Sequence, residues 1–269
     1  MRRGMSELFD LNGAVALVTG GGSGLGREFC RALAEFGADV VCVDLYRDRA
    51  EETCMMIKEL GHKTMALQGD VSDYPQVRAV FQQTEEAFGR LDILVNNAGI
   101  INRRCHIHEM DVQDWLKVID VNLHGTFYCM KEALRLMLPR GKGSIVNIAS
   151  ITGQCGTDPE VALMAPYSTS KAGTIGLTRQ AAAEYGVHGI RVNAIAPGWY
   201  LGTRLGTDAG VTRTKEQMDS FRAILSSRAP LKRTGEPEEL KGLLVYLASD
   251  ASSFVTGQVI ASDGGWTCV

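Results

Sequence analysis

The stretch Ala14-Val15-Ala16-Leu17-Val18-Thr19-Gly20-Gly21-Gly22-Ser23-Gly24-Leu25-Gly26 decides the fold. An apolar run suited to a buried strand meets five glycines within seven positions, and an amphipathic pattern follows from residue 25 to residue 36. Strand, glycine turn and helix N-terminus in that order are the layout that holds a pyrophosphate. Glycines let the backbone turn sharply and come close to the ligand, while the unpaired N–H groups of the helix start supply donors and partial positive charge. A glycine-rich loop alone would be weak evidence; its place between a buried strand and a helix is what carries the reading. Gly20, Ser23, Gly24, Leu25 and Gly26 are the candidate dinucleotide-binding residues.

Working outward, the run 39–44 ends in Asp44, 18 residues after Gly26. A carboxylate there accepts hydrogen bonds from ribose hydroxyls and repels a 2′-phosphate, which favours NAD over NADP. Arg47, three residues on, is a cation that could soften the preference. Further short apolar runs at 63–67, 91–95, 144–149, 190–195 and 258–261 read as strands, and 25–36, 48–60, 75–88, 112–138, 167–185 and 237–249 read as helices. Four of these helices reach a glycine (Gly37, Gly61, Gly89, Gly186), expected as the left-handed residue that ends each. The alternation predicts one α/β domain over residues 11–269. This is a Rossmann-type, doubly wound sheet of about seven parallel strands with helices on both faces. Residues 1–10 are expected to form a flexible N-terminus.

Composition narrows the function. A net charge of −3, with acids and bases interspersed, gives no electrostatic footprint for nucleic acid. No apolar stretch is long enough to span a bilayer, and the basic Met1-Arg2-Arg3 is not followed by an apolar run, so no membrane or secretory role is expected. The seven cysteines are odd in number and contain no Cys-x-x-Cys pair, which suits reduced thiols in a cytoplasmic protein. Cys155 in particular is expected to be buried or to line a pocket. His106 and His108 lack a cysteine partner and read as loop residues rather than metal ligands; no metal is expected.

Tyr167-Ser168-Thr169-Ser170-Lys171 opens a predicted helix. Residues four apart share a helix face, so phenol and ammonium project together. Tyrosine is a poor base near neutrality, and a neighbouring cation favours its ionised form. By itself Tyr-x-x-x-Lys is a common coincidence. In this chain it stands beside Thr19-Gly20-(x3)-Gly24-x-Gly26, Asp70-Val71, Asn96-Asn97-Ala98-Gly99, Asn122, Ser150 and Pro197-Gly198. Over residues 11–265 this order of motifs resembles the short-chain dehydrogenase/reductase family.

The resemblance implies roles. Tyr167 would be the general acid/base, Ser150 would hydrogen-bond the substrate oxygen, and Lys171 would hold the nicotinamide ribose and lower the pKa of Tyr167. Asn122 would anchor a water that relays protons from Lys171. Asp70 and Val71 would border the adenine, Asn96, Asn97, Ala98 and Gly99 would line the cofactor floor, and Pro197 and Gly198 would close over the nicotinamide. It also implies a homotetramer built partly through helices 112–138 and 167–185. Asp263-Gly264-Gly265-Trp266 resembles members acting on sugars, sugar acids or polyols, which points to a small alcohol or carbonyl substrate of that kind. The alternatives are an NADPH-dependent reductase of 3-oxoacyl thioesters and a catalytically silent nicotinamide-sensing protein.

Two departures stand out. Ser150 and Tyr167 are 17 residues apart, a longer connection than is common in the family. It is expected to reshape one wall of the substrate pocket, and it makes Thr152 a rival for the role of Ser150. The approach from Gly198 to Thr203 is one residue longer than usual, so Thr203 as a cofactor contact is the weaker assignment. Residues 199–225, rich in Gly, Thr and Arg and then helical, are expected to cover the substrate as a lid.

Overall fold

The computed structural model describes residues 4–205 and 213–269. Seven strands form one sheet: β1 (Val15–Thr19), β2 (Asp39–Asp44), β3 (Thr64–Gln68), β4 (Ile93–Asn96), β5 (Gly143–Ile148), β6 (Ile190–Pro197) and β7 (Val259–Ser262). Their order is β3-β2-β1-β4-β5-β6-β7 and every pairing is parallel. All five residues of β1 are buried, as are all six of β5. That is why these strands read as unbroken apolar runs: helices cover both faces of them, and neither face meets water.

The nine α-helices among the described residues are α1 (Met5–Phe9), α2 (Gly24–Glu35), α3 (Arg47–Glu59), α4 (Tyr74–Phe88), α5 (Val112–Ile119), α6 (Gly125–Met137), α7 (Ala165–Tyr185), α8 (Lys215–Arg228) and α9 (Lys241–Ala248). Alternate residues of β1 serve opposite faces. Ala16 and Val18 pack with Phe29 and Leu33 of α2 and Leu244 and Leu247 of α9. Val15 and Leu17 pack with Val77 and Phe81 of α4, Met130 of α6 and Ala181 of α7. The chain winds one way from β1 to β3 and the other way from β4 to β7. The crevice outside the carboxyl ends of β1 and β4 is therefore the place where such a sheet binds ligands.

Four sequence expectations change. Residues 5–9, expected as loose chain, form α1, where the Gly4 N–H meets the Glu7 carboxylate at 3.0 Å; none of its residues is buried. Gly186 is helical (φ −58), because the chain adds a 3₁₀ turn over Gly186–His188 and leaves it at Gly189 (φ 71). Gly37, Gly61 and Gly89 do have positive φ. The single helix predicted over 112–138 is two helices joined by a π-helical turn, Asp120–His124. Its cause is Asn122, whose amide binds both backbone groups of Ile100 and so holds the helix to the loop after β4. The predicted helix 237–249 begins as a 3₁₀ turn, Pro237–Leu240.

Of the segment expected to be a lid, residues 206–212 lie outside the described residues. The remainder holds a bridge between Tyr200 and Gly235, and α8, which Thr214 caps. No helix among the described residues is long and apolar enough to cross a membrane.

Candidate active site

A cleft of about 600 Å³ opens at the carboxyl ends of β1, β2, β4, β5 and β6. Of the residues singled out in the sequence, Gly20, Ser23, Gly24, Leu25, Gly26, Asp44, Asp70, Val71, Asn97, Ala98, Gly99, Ser150, Tyr167, Lys171, Pro197, Gly198 and Thr203 line it. Asn96 and Asn122 do not. Asn96 turns inside the sheet, where its Nδ2 donates to Asn147 Oδ1 at 2.8 Å. Asn122 is fully buried behind the wall, and its Nδ2 also reaches Ser170 Oγ at 3.1 Å.

The glycine turn is packed to its limit. A Cβ on Gly26 would lie 2.0 Å from the Gly20 carbonyl oxygen, and one on Gly22 would lie 2.7 Å from Asp44 Oδ2. Asn97 braces the turn from below, donating to the carbonyls of Thr19 and Gly20 at 3.0 and 3.1 Å. Gly24 has φ +52, which brings the start of α2 against Thr203. A glycine-rich backbone cradle, aimed along a helix N-terminus, fits a dinucleotide phosphate bridge.

Asp44 ends β2 in the cleft with 7% exposure. Its two oxygens accept from the N–H groups of Gly22 and Tyr46 at 2.9 and 3.0 Å. These bonds fix the carboxylate while leaving lone pairs for ribose hydroxyls. The cation at this end is not Arg47, which pairs outward with Glu51 at 2.8 Å. It is Arg49, a cleft residue lying 4.1 Å over the ring of Tyr46, which also lines the cleft. Both were missed in the sequence, because the helix face presented by α3 depends on where that helix starts.

At the other end, Tyr167 and Lys171 lie one turn apart on α7, and both are buried. Pro166 occupies the first turn, where a missing N–H is harmless. Lys171 Nζ sits 5.5 Å from the Tyr167 ring centre and donates to the Ile148 carbonyl at 2.7 Å. Burial pushes the Tyr167 phenol up to about 12, against the opposing effect of its hydrogen bond with Ser150. The lowering expected from sequence is therefore absent in the chain by itself. Desolvation is the larger effect on the phenol, and burial also brings the neighbouring Lys171 down to about 8.

Ser150 faces the cleft and Thr152 stands behind it. The Thr152 N–H and hydroxyl both donate to Ser150 Oγ, at 3.2 and 3.1 Å. No residue from 151 to 165 lines the cleft. Cys155 is exposed rather than buried or pocket-lining, because the turn after Ile151 points it outward. His106 precedes, and His108 lies within, a 3₁₀ turn on the surface (Ile107–Glu109), and Arg104 is engaged with backbone carbonyls of Pro159 and Glu160.

Lys171 gives a first test. Its amine binds a proton less tightly folded than unfolded, so it lowers stability, in full below pH 8 and not at all above pH 10.5. The shift corresponds to about 3 kcal/mol, from which the lost bond to Ile148 subtracts about 1 kcal/mol. Lys171→Met should accordingly be more stable than the native chain at pH 7 by about 1–2 kcal/mol, with the gain vanishing near pH 10.5. Denaturant unfolding at the two pH values checks this, and a less stable variant at pH 7 would refute it.

With this geometry in hand, residues 20–267 match a family model described as enoyl-(acyl carrier protein) reductase. The chain belongs to the short-chain dehydrogenase/reductase family, oxidoreductases acting on CH–OH groups. It is 42% identical over 257 residues to a cis-4-hydroxycyclohexanecarboxylate dehydrogenase of Sinomonas cyclohexanicum, covering 95% of this chain and 97% of that one. A short-chain type dehydrogenase/reductase from Mycobacterium marinum superposes with a TM-score of 0.90 at 36% identity, covering 98% and 99% of the two chains. A gluconate 5-dehydrogenase from Burkholderia cenocepacia J2315, solved with NADP and tartrate, superposes at 0.89 with 34% identity, covering 99% and 100%.

Proposed function

We propose that the protein is an NAD-preferring dehydrogenase that interconverts a secondary alcohol and a ketone on a sugar acid, a polyol or a related hydroxy acid. The observation that carries this reading is the cleft itself. The phenol of Tyr167, the hydroxyl of Ser150 and the ammonium of Lys171 open onto the same space as the glycine cradle and the Asp44 carboxylate. The nicotinamide cofactor, when bound, supplies the hydride acceptor or donor. The chain does the rest. Ser150 holds the substrate oxygen by a hydrogen bond, Tyr167 takes its proton during oxidation or returns it during reduction, and Lys171 holds positive charge near the phenol. Gly99 packs against both Asn122 and Lys171, since a Cβ there would lie 3.3 Å from Asn122 Oδ1 and 3.6 Å from Lys171 Nζ.

The substrate class is supported by names from the family: a ring alcohol carrying a carboxylate for the Sinomonas relative, and gluconate for the Burkholderia structure. A 3-oxoacyl-thioester reductase shares the same machinery, and the matching family model is described by an acyl-carrier activity. Asp44 argues against the NADPH dependence of that alternative. The silent nicotinamide sensor is disfavoured because Ser150, Tyr167 and Lys171 stand together in the cleft. Exposed apolar side chains on α5 and α6 (Val112 and Phe127) support a protein interface on this part of the surface, which is where the homotetramer expected through 112–138 and 167–185 would place one of its contacts.

The test is to screen hydroxy acids, polyols and hydroxyacyl thioesters for reduction of NAD and NADP. Turnover is expected with the first two groups and NAD; activity confined to thioesters with NADPH would replace this reading by its rival. Asp44→Asn, which keeps an acceptor oxygen but removes the charge, should shrink the NAD-over-NADP ratio of kcat/KM at least tenfold, an effect worth about 1.4 kcal/mol. An unchanged ratio would remove Asp44 as the discriminator.

A further inference from the structure

The long connection from Ser150 to Tyr167 has an ordered tip. Asp158 builds it: Oδ1 accepts the Glu160 N–H at 2.8 Å, and its carbonyl accepts the N–H groups of Val161 and Ala162 at 2.9 and 3.0 Å. Val161, 2% exposed, anchors the turn from inside. The other carboxylate oxygen, Oδ2, receives Arg228 Nη1 at 2.6 Å, and the second arm of the same guanidinium reaches Glu160 Oε2 at 3.2 Å. Arg228 is the last residue of α8, 70 positions further along the chain than Asp158.

The opposite side of the tip is held as well. Arg104 donates to the Pro159 carbonyl, and Asn102 Nδ2 donates to the Leu163 carbonyl at 3.1 Å. Both come from the segment leaving β4. Three segments that leave the adjacent strands β4, β5 and β6 at the ligand end of the sheet thus meet at one point. Each begins in the cleft, at Asn97–Gly99, Ser150 and Pro197–Gly198 respectively. Helix α8 is tied to the last of them through Phe221, which meets Trp199 edge-on at 6.0 Å.

We propose that Arg228 is a positioning residue that straps α8 to the Ser150–Tyr167 connection and thereby sets affinity for the alcohol rather than for the dinucleotide. This rests on the alcohol dehydrogenase reading above. The planar fork of a guanidinium can hold two carboxylates at once, which the point charge of a lysine cannot do with the same geometry. Each exposed pair is weak alone. Here, however, the pairs join three segments whose backbone freedom would otherwise have to be lost when substrate binds. The glycine turn between β1 and α2 supplies none of the bonds named at that tip.

The test compares the native enzyme with Arg228→Ala and Arg228→Lys. Arg228→Ala should raise the substrate KM about three- to tenfold, with kcat and the KM for NAD within about twofold. Arg228→Lys should recover only part of the loss. Hydrogen exchange followed over residues 154–164 should speed up in Arg228→Ala without any substrate present. Unchanged exchange would overturn the strap, and faster exchange with an unchanged substrate KM would overturn its positioning role, as would an equal rise in the KM for NAD. If the native enzyme oxidised no alcohol, the functional reading would fail instead, and the exchange measurement would still decide the strap.

Discussion

Tyr167→Phe is expected to lower kcat/KM for alcohol oxidation about a thousandfold, with NAD affinity changed less than about twofold. A positioned proton acceptor contributes roughly 10²- to 10⁴-fold, and Ser150, the hydroxyl beside Tyr167 in the cleft, is itself a weak acid. With burial holding the phenol at about 12, roughly one molecule in ten thousand would be ionised at pH 8 before any ligand binds. Two influences favour ionisation, the Ser150 hydrogen bond and the positive ring of the oxidised cofactor. The sign of the pH response follows. Oxidation consumes the phenolate, so its rate should climb with pH through the alkaline range. Reduction consumes the phenol, so its rate should fall over the same range. The Phe variant should show a low rate with neither slope. Steady-state profiles in both directions, with NAD binding measured by calorimetry, check each part. Turnover near the native level would remove Tyr167 from the chemistry.

Gly26→Ala should abolish dinucleotide binding, raising the Kd for NAD by about a hundredfold or more. The added methyl would sit 2.0 Å from the Gly20 carbonyl oxygen and 2.6 Å from Asn97 Nδ2. Neither is the free end of a flexible side chain: one is backbone, and the other is held by bonds to Thr19 and Gly20. The turn must therefore move, and the backbone N–H groups that face the phosphates move with it. Overpacking of this kind also lowers stability by about 1–3 kcal/mol. Gly242→Ala is the control: it lies on α9 with nothing within 4 Å of the new carbon, and should leave binding intact and stability equal or slightly higher. Native affinity in Gly26→Ala would show that the turn does not hold the phosphates.

The fold was legible because its signal is local. Strands buried on both faces must be apolar at every position, and the glycine turn after Thr19 marks where the first of them ends. The cradle and the Tyr167–Lys171 pair were legible for the same reason, since spacing on one helix fixes a shared direction. What sequence reasoning misplaced depends on contacts between distant segments. The π-helical turn exists because Asn122 reaches Ile100, 22 residues away. Arg49 rather than Arg47 meets the cleft because of how α3 is seated on the sheet. The Arg228–Asp158 pair joins residues 70 positions apart, and no local pattern announces it.

The arrangement behind Ser150 gives its hydroxyl a polarity. A serine oxygen has two lone pairs and one proton, and both lone pairs are claimed by Thr152. Its proton serves the acceptors ahead of it, the Tyr167 oxygen in the chain by itself and a substrate oxygen when one is bound, so this group gives hydrogen bonds at the reaction centre rather than receiving them. It should greet a carbonyl or an alkoxide far better than an amine or any other donor. Selection between chemical types would thus begin behind the cleft wall, in Thr152, which does not line the cleft.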